Sequence, residues 1–210
     1  MAIPDPIRIY RMVHWQNVEY ILSNGMCCRE HDLADPDYIN IGHRQLITDR
    51  HDHPIPLEGA GVLGEYVPFY FAGHSPMLYC IMNGYQGVEQ RPQNDIVFLA
   101  STFDNVRELD YIFTDRQAKK TLARAYNNPD HFDELQWDII KNRDWKNNEE
   151  NPYRQEFKQA EFLIKTHIPL ECMASLVVLT EERKEYFEAL IEKLELDINV
   201  FVDDHRKLYY

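Results

Sequence analysis

The sequence predicts one α+β domain with a mixed or mainly antiparallel sheet, and three observations predict it. Apolar runs of strand length interleave irregularly with helix-period segments instead of alternating in regular β-α-β order. The chain has 210 residues and 25.0 kDa, enough for one good core and short for two. No internal repeat or low-complexity tract breaks it into units. Residues 1–210 are therefore read as a single domain.

Residues 7–13 form an apolar run that reads as a strand. A short helix follows over 17–22, with Val18, Ile21 and Leu22 on one face and Gly25 as its stop. His14 stands at the corner between the two, where a ring can project into a cleft. From 31 to 64 the pattern dissolves into polar residues punctuated by Pro36, Gly42, Pro54 and Pro56, a loop of the length that covers binding sites. Strands are predicted at 67–71, 96–100 and 111–113, then a helix capped by Thr114 or Asp115 and running to about 126. A second helix is predicted over 133–142. An apolar strand follows at 162–164, with Glu161 at its mouth and Pro169 as its stop, then a strand at 176–179. A Thr180-capped amphipathic helix to 194 and a last strand at 200–202 complete the chain.

The charge balance constrains the partner. At a formal net charge of -13, the chain cannot hold duplex DNA by general neutralisation of phosphates. A nucleic-acid substrate has to meet a local basic groove with aromatic platforms, which suits a single strand. The predicted helix after Asp115 offers such a place, with Arg116, Lys119, Lys120 and Arg124 on one face; the bland reading is a solvated charged face. No apolar run approaches a membrane span and the first residues lack a signal-peptide pattern, so the expected location is the cytoplasm, with no membrane partner. Cys27, Cys28, Cys80 and Cys172 show no metal or disulfide spacing and read as reduced thiols. His51-Asp52-His53 lacks zincin geometry, and no metal is expected.

Glu161 is the sharpest candidate for chemistry. A carboxylate where a polar loop dives into the core is costly unless it is hydrogen-bonded or has work to do. The competing reading is a strand-end Glu facing water.

Three segments resemble the DarT family of bacterial toxins, which transfer ADP-ribose from NAD to a base in single-stranded DNA. They are His14-Trp15-Gln16-Asn17 after its apolar run, the aromatic block from Tyr66 to Tyr79, and Gln159-Ala160-Glu161-Phe162-Leu163. The resemblance spans Tyr10 to about Leu179. It implies an ADP-ribosyltransferase-like sheet core, NAD as co-substrate and Glu161 as the catalytic carboxylate. Met12, Val13, His14 and Asn17 would form a nicotinamide and ribose edge; a capping role for the His-Asn pair competes with this. Residues 31–64 correspond to an NAD-binding loop, in which Arg50 is the aligned arginine and Arg44 the reserve. Arginine stays protonated, so charge stabilisation is favoured over a literal base role. Tyr70 and Met77 would face the cleft or the bound base, while Phe69 and Phe71 go to the core.

Residues 105–160 would read the DNA, with Arg116, Lys119 and Lys120 toward it. Gln117 stands where some relatives are expected to carry His, a departure that bears on base preference. The resemblance implies a thymine acceptor, a block to DNA replication and a DarG-like macrodomain antitoxin as partner. Two rival readings are a transferase of the same fold acting on RNA or protein, and a catalytically silent nucleic-acid-binding domain.

Overall fold

The computed structural model describes residues 2–210. In chain order the elements are β1 (Arg8–His14), α1 (Val18–Asn24), β2 (Met26–Cys27), α2 (Arg44–His51), β3 (Tyr66–Tyr70), α3 (Pro76–Asn83), β4 (Ile96–Thr102), α4 (Phe103–Val106) and β5 (Tyr111–Thr114). They continue with β6 (Ala125–Tyr126), α5 (Trp137–Lys141), α6 (Arg154–Lys158), β7 (Glu161–Lys165), β8 (His167–Ile168), β9 (Ser175–Val178), α7 (Glu181–Lys193) and β10 (Asn199–Val202). Eight strands form one sheet in the order β10-β9-β4-β1-β3-β7-β5-β6, and β2 pairs with β8 apart from it. Only β9 and β10 run parallel, so the sheet is mixed.

The period-2 alternation of the strands decides which residues reach which face. Ile9 and Val13 of β1, Val67 and Phe69 of β3, and Phe162 and Ile164 of β7 enter the main core with α1, α7, Trp137 and Phe132. Met12 packs on the other face with Leu78, Ile81, Phe98 and Tyr209, and Tyr70 lies against that cluster. Glu161, one residue before Phe162, therefore points away from the main core, to the side of Tyr70.

The centre of the sheet is split. Strands β1 and β4 pair along seven residues, but β1 and β3 share the single register pair Tyr10↔Tyr70. Arg11 spans the gap, donating from Nη1 to Pro68 O at 3.1 Å.

Several expectations change. The polar loop of 31–64 contains α2, which buries none of its residues and so gives no apolar stripe to read. Helix α3 was not predicted, although Ser75 caps it, Pro76 opens it and Gly84 closes it in the left-handed region at φ 66. The helix expected from Thr114 to about 126 is absent. Thr114 Oγ1 donates to Arg116 O at 2.7 Å, Asp115 Oδ1 accepts from Arg124 N at 2.9 Å, and the segment closes into turns ending at β6. Local side-chain bonds to the backbone have outcompeted the helix. Within the predicted helix over 133–142, only 137–141 is α-helical, after a 3₁₀ stretch.

Candidate active site

A cleft of about 850 Å³ opens where β1 and β3 part, walled by α2 and the loop before it on one side and by β3 and the start of α3 on the other. Its size suits a small-molecule or cofactor ligand. Glu161 stands in its wall with 1% of its surface exposed, which rules out the water-facing strand end.

The carboxylate is fully bonded. Oε1 accepts from Arg50 Nη1 at 2.9 Å and from the Ala118 amide at 2.9 Å, and Oε2 accepts from Arg50 Nη2 at 2.8 Å. A bidentate fork of this kind fixes both partners in one plane. Its backbone N–H donates to Thr114 Oγ1, so β5, the turn after it, and α2 all converge on one side chain. Burial lowers the pKa of Arg50, but the charge of Glu161 and its hydrogen bonds more than offset this, and the net shift is upward. Arg50 is thereby held as a cation. Arg44, six positions earlier, falls on another face of α2 and is exposed, though it also borders the cleft.

Tyr70 is the register partner of Glu161 on β3 and lines the cleft with Met77. Burial, with the Glu161 charge second, pushes its phenol up to about 12. It stays a neutral donor at physiological pH.

The His14 edge divides. Met12 lines the cleft, whereas Val13 is fully buried in the main core and neither His14 nor Asn17 reaches the cleft wall. His14 Nδ1 accepts from Gln16 N at 3.4 Å, the capping reading, and burial followed by the charge of Arg91 lowers its pKa. Asn17 grips the loop: Nδ2 donates to Ile39 O at 2.9 Å and Oδ1 accepts from Ile39 N at 2.9 Å. Since Ile39 lines the cleft, Asn17 positions its wall from behind.

The basic face expected after Asp115 is not there. Arg116 meets Asp115 at 3.2 Å and stacks 4.3 Å from the centre of the Phe157 ring; Lys120 meets Glu156 at 3.2 Å; Lys119 meets Asp49 of α2 at 2.7 Å. These cations are spent on carboxylates that brace the segment against α2 and α6. Gln117 does line the cleft, bonded to Gln159 at 3.4 Å. His51 lies 3.0 Å from Glu30.

Sequence reading missed Arg11 and Arg91. Both line the cleft, and the Nε of each is buried without a hydrogen-bond partner among the described residues. Arg91 Nη2 meets Glu89 at 2.9 Å, whereas Arg11 has no carboxylate partner among the described residues, and its guanidinium in the cleft wall fits a ligand rich in acceptors, such as a diphosphate. An arginine inside an otherwise apolar strand was the available signal for Arg11.

A buried carboxylate held by a fixed cation in the wall of a cofactor-sized cleft is the arrangement that a glycosyl-transfer centre needs to steady a developing sugar cation. The chain belongs to the DarT family: the family described as "ssDNA thymidine ADP-ribosyltransferase, DarT" matches residues 10–210. A DNA ADP-ribosyl transferase of Escherichia coli O127:H6 is 34% identical over 199 residues, covering 94% of this chain and 91% of the relative. One from Thermus aquaticus is 32% identical, covering 91% and 83%. The solved Thermus sp. 2.9 DarT in complex with ADP-ribosylated ssDNA superposes with a TM-score of 0.89 at 29% identity, over 100% of this chain and 99% of that one. The same protein in complex with NAD+ gives 0.83 at 28% identity, covering 100% of both chains.

Proposed function

We propose that this protein transfers ADP-ribose from NAD to thymine in single-stranded DNA, and that it acts as a toxin by blocking replication. Family membership and the solved relatives bound to NAD+ and to ADP-ribosylated ssDNA support the reaction. The observation within this chain that carries it is the Arg50–Glu161 fork on the rim of the cleft.

The reaction breaks the bond between nicotinamide and ribose and forms one between the same ribose carbon and the base, whose proton is released. Positive charge builds on the ribose as the first bond lengthens. Glu161, held by two fixed partners, stabilises that charge without reorganising. Arg50 holds the Glu161 carboxyl in plane through its bidentate fork. Arg11 supplies donors for the diphosphate, with Met12 and the loop at 31–64 as cleft wall. Tyr70 and Met77 present an aromatic and a thioether surface to the acceptor base. In this reading 105–160 is the substrate-recognition region, in which Arg116, Lys119 and Lys120 hold the segment in shape and Gln117 faces the substrate.

A DarG-like macrodomain antitoxin that removes the mark is the partner such a toxin requires, and the cytoplasm is where NAD and DNA are both available. Among the described residues no helix is long and apolar enough to cross a membrane.

The test incubates the protein with labelled NAD and separate pools of single-stranded DNA, duplex DNA, RNA and protein. Label in single-stranded, thymine-containing DNA is expected. Label only in RNA or protein favours the rival acceptors, and no NAD turnover with any pool favours a silent binding domain.

A further inference from the structure

A second cavity of about 360 Å³ lies beyond the far end of β3. The segment joining β3 to α3 separates it from the cleft: Tyr70 and Met77 border the cleft, while Ala72, Gly73 and His74 border the cavity. Tyr10, also in its wall, pairs with Tyr70, which pairs with Glu161. The cavity wall thus begins two strands from the carboxylate, about 10 Å along the sheet.

Its other walls carry Lys141, Arg143, Arg206 and Lys207. On a chain of net charge -13 this concentration is unexpected, and the way the cations are held sets it apart from Arg116, Lys119 and Lys120. Among the described residues, Lys141, Arg143 and Lys207 make no ion pair with a carboxylate. The partners of Lys141 and Arg143 are neutral. Lys141 Nζ donates to Phe71 O at 3.0 Å, and Arg143 donates to His74 Nε2 at 3.1 Å and to Arg206 O at 2.7 Å. The nearby carboxylate of Asp203 is taken up by the amides of Lys207, Leu208 and Tyr209. Carbonyls and an imidazole orient Lys141 and Arg143 without neutralising them, and Lys207 is exposed beside them.

The cavity is also built to hold its shape. His74 sits in the left-handed region at φ 50 and donates its N–H to Leu208 O at 2.9 Å. Any side chain at Gly73 would run into the backbone of Leu208. A strained residue and a glycine-only approach at one seam mark a place where the surrounding structure over-determines the backbone.

We propose that this cavity is a phosphodiester subsite, in which Lys141, Arg143 and Lys207 hold a backbone phosphate of the DNA strand next to the acceptor base. The inference rests on the acceptor being DNA. It supplies the local electropositive footing that an acidic protein needs for a polyanion, on the strand-end side of Tyr70 and Met77.

The test measures binding of a thymine-containing single strand to wild type, Lys141→Gln and Lys207→Gln over a salt series, with NAD binding and steady-state kinetics alongside. Lys207 is exposed, so its variant keeps the fold; Arg143 is left intact because it also holds His74. Each variant should bind DNA several-fold more weakly at low salt, with a log-log salt slope shallower by about 0.7, the loss of one single-strand phosphate contact. KM for DNA should rise while kcat and NAD affinity hold. A single neutral methylphosphonate linkage beside the acceptor should weaken wild type more than Lys207→Gln, which has already lost one of the three cations. Unchanged slopes in both variants overturn the subsite, and a loss of NAD affinity instead assigns the cavity to the dinucleotide and also overturns it. Failure of wild type to modify DNA at all refutes the acceptor reading, and the subsite falls with it.

Discussion

Arg50 and Glu161, 111 residues apart in sequence, meet through two parallel hydrogen bonds of 2.9 and 2.8 Å. One comes from a helix that buries none of its own residues, and the other from a central strand. The fork ties the cleft-side helix to the sheet, so the chemistry of the site and the placement of its wall depend on one ion pair.

Glu161→Gln should lower transfer by ~10²-fold or more, because the lost charge matters most as the ribose becomes positive. NAD affinity should change little. Glu161→Ala should cost about 3 kcal/mol of stability and more than Glu161→Gln, since it leaves the Arg50 guanidinium, 15% exposed, and the Ala118 amide with neither counter-charge nor acceptor oxygen. Turnover and denaturant unfolding on both variants separate the two effects; near wild-type turnover in Glu161→Gln would refute the assignment.

Arg50→Ala should abolish or strongly weaken transfer, and Arg50→Lys should rescue it poorly because an ammonium cannot make the planar fork. Arg44→Ala should do less, as its side chain is exposed and makes no bond to Glu161. Initial rates on the three variants check the order. If Arg44→Ala proves the more damaging, the functional arginine lies six residues earlier on α2.

What was legible in the sequence follows from periodicity. Strands β1, β4, β7 and β9 and helix α7 carry apolar patterns set by their own burial, and each was read to within a few residues. Glu161 stood out because it is a carboxylate at the mouth of such a run, although the run alone also allowed a strand end facing water. The loop after Asp115 was misread, because its charges suggest a helix face while Thr114 and Asp115 bond to the backbone instead. Helix α2 was invisible for a different reason: its stabilising contact is a distant residue, and an exposed helix carries no stripe. At the His14 corner the strand-to-helix turn was legible, whereas the sequence left open where its polar side chains go: His14 caps Gln16 and Asn17 grips Ile39.

Asn17 should act as a positioning residue. It is 2% exposed and makes reciprocal bonds with both polar groups of Ile39, so Asn17→Ala frees a wall of the cleft and costs about 2 kcal/mol of stability. KM for NAD should rise several-fold while kcat falls less, because no bond to the reacting atoms is lost. Hydrogen exchange of the Ile39 amide provides a second readout. A fall in kcat with unchanged KM would place Asn17 at the substrate instead.

Lys158 should give stability an unusual pH dependence. It is 4% exposed, with Nζ donating to Ile140 O at 2.7 Å and Asn142 O at 2.8 Å. Burial, then the charges of Lys141 and Arg154, brings its pKa down from 10.5 to about 7. The unfolded chain keeps that proton to higher pH, so above pH 7 the unfolded state binds more protons than the folded one. Unfolding free energy therefore rises with pH, at up to about 1.4 kcal/mol per unit. The histidines His14 and His74, lowered from 6.5, act below this window. Cys27, Cys80 and Cys172, raised from 9.0, oppose it from about pH 9 upward. Denaturant unfolding between about pH 7 and pH 8.5 should show the rise in wild type and a flat profile in Lys158→Met. Equal slopes in the two proteins would mean that Lys158 keeps an ordinary pKa in the folded state.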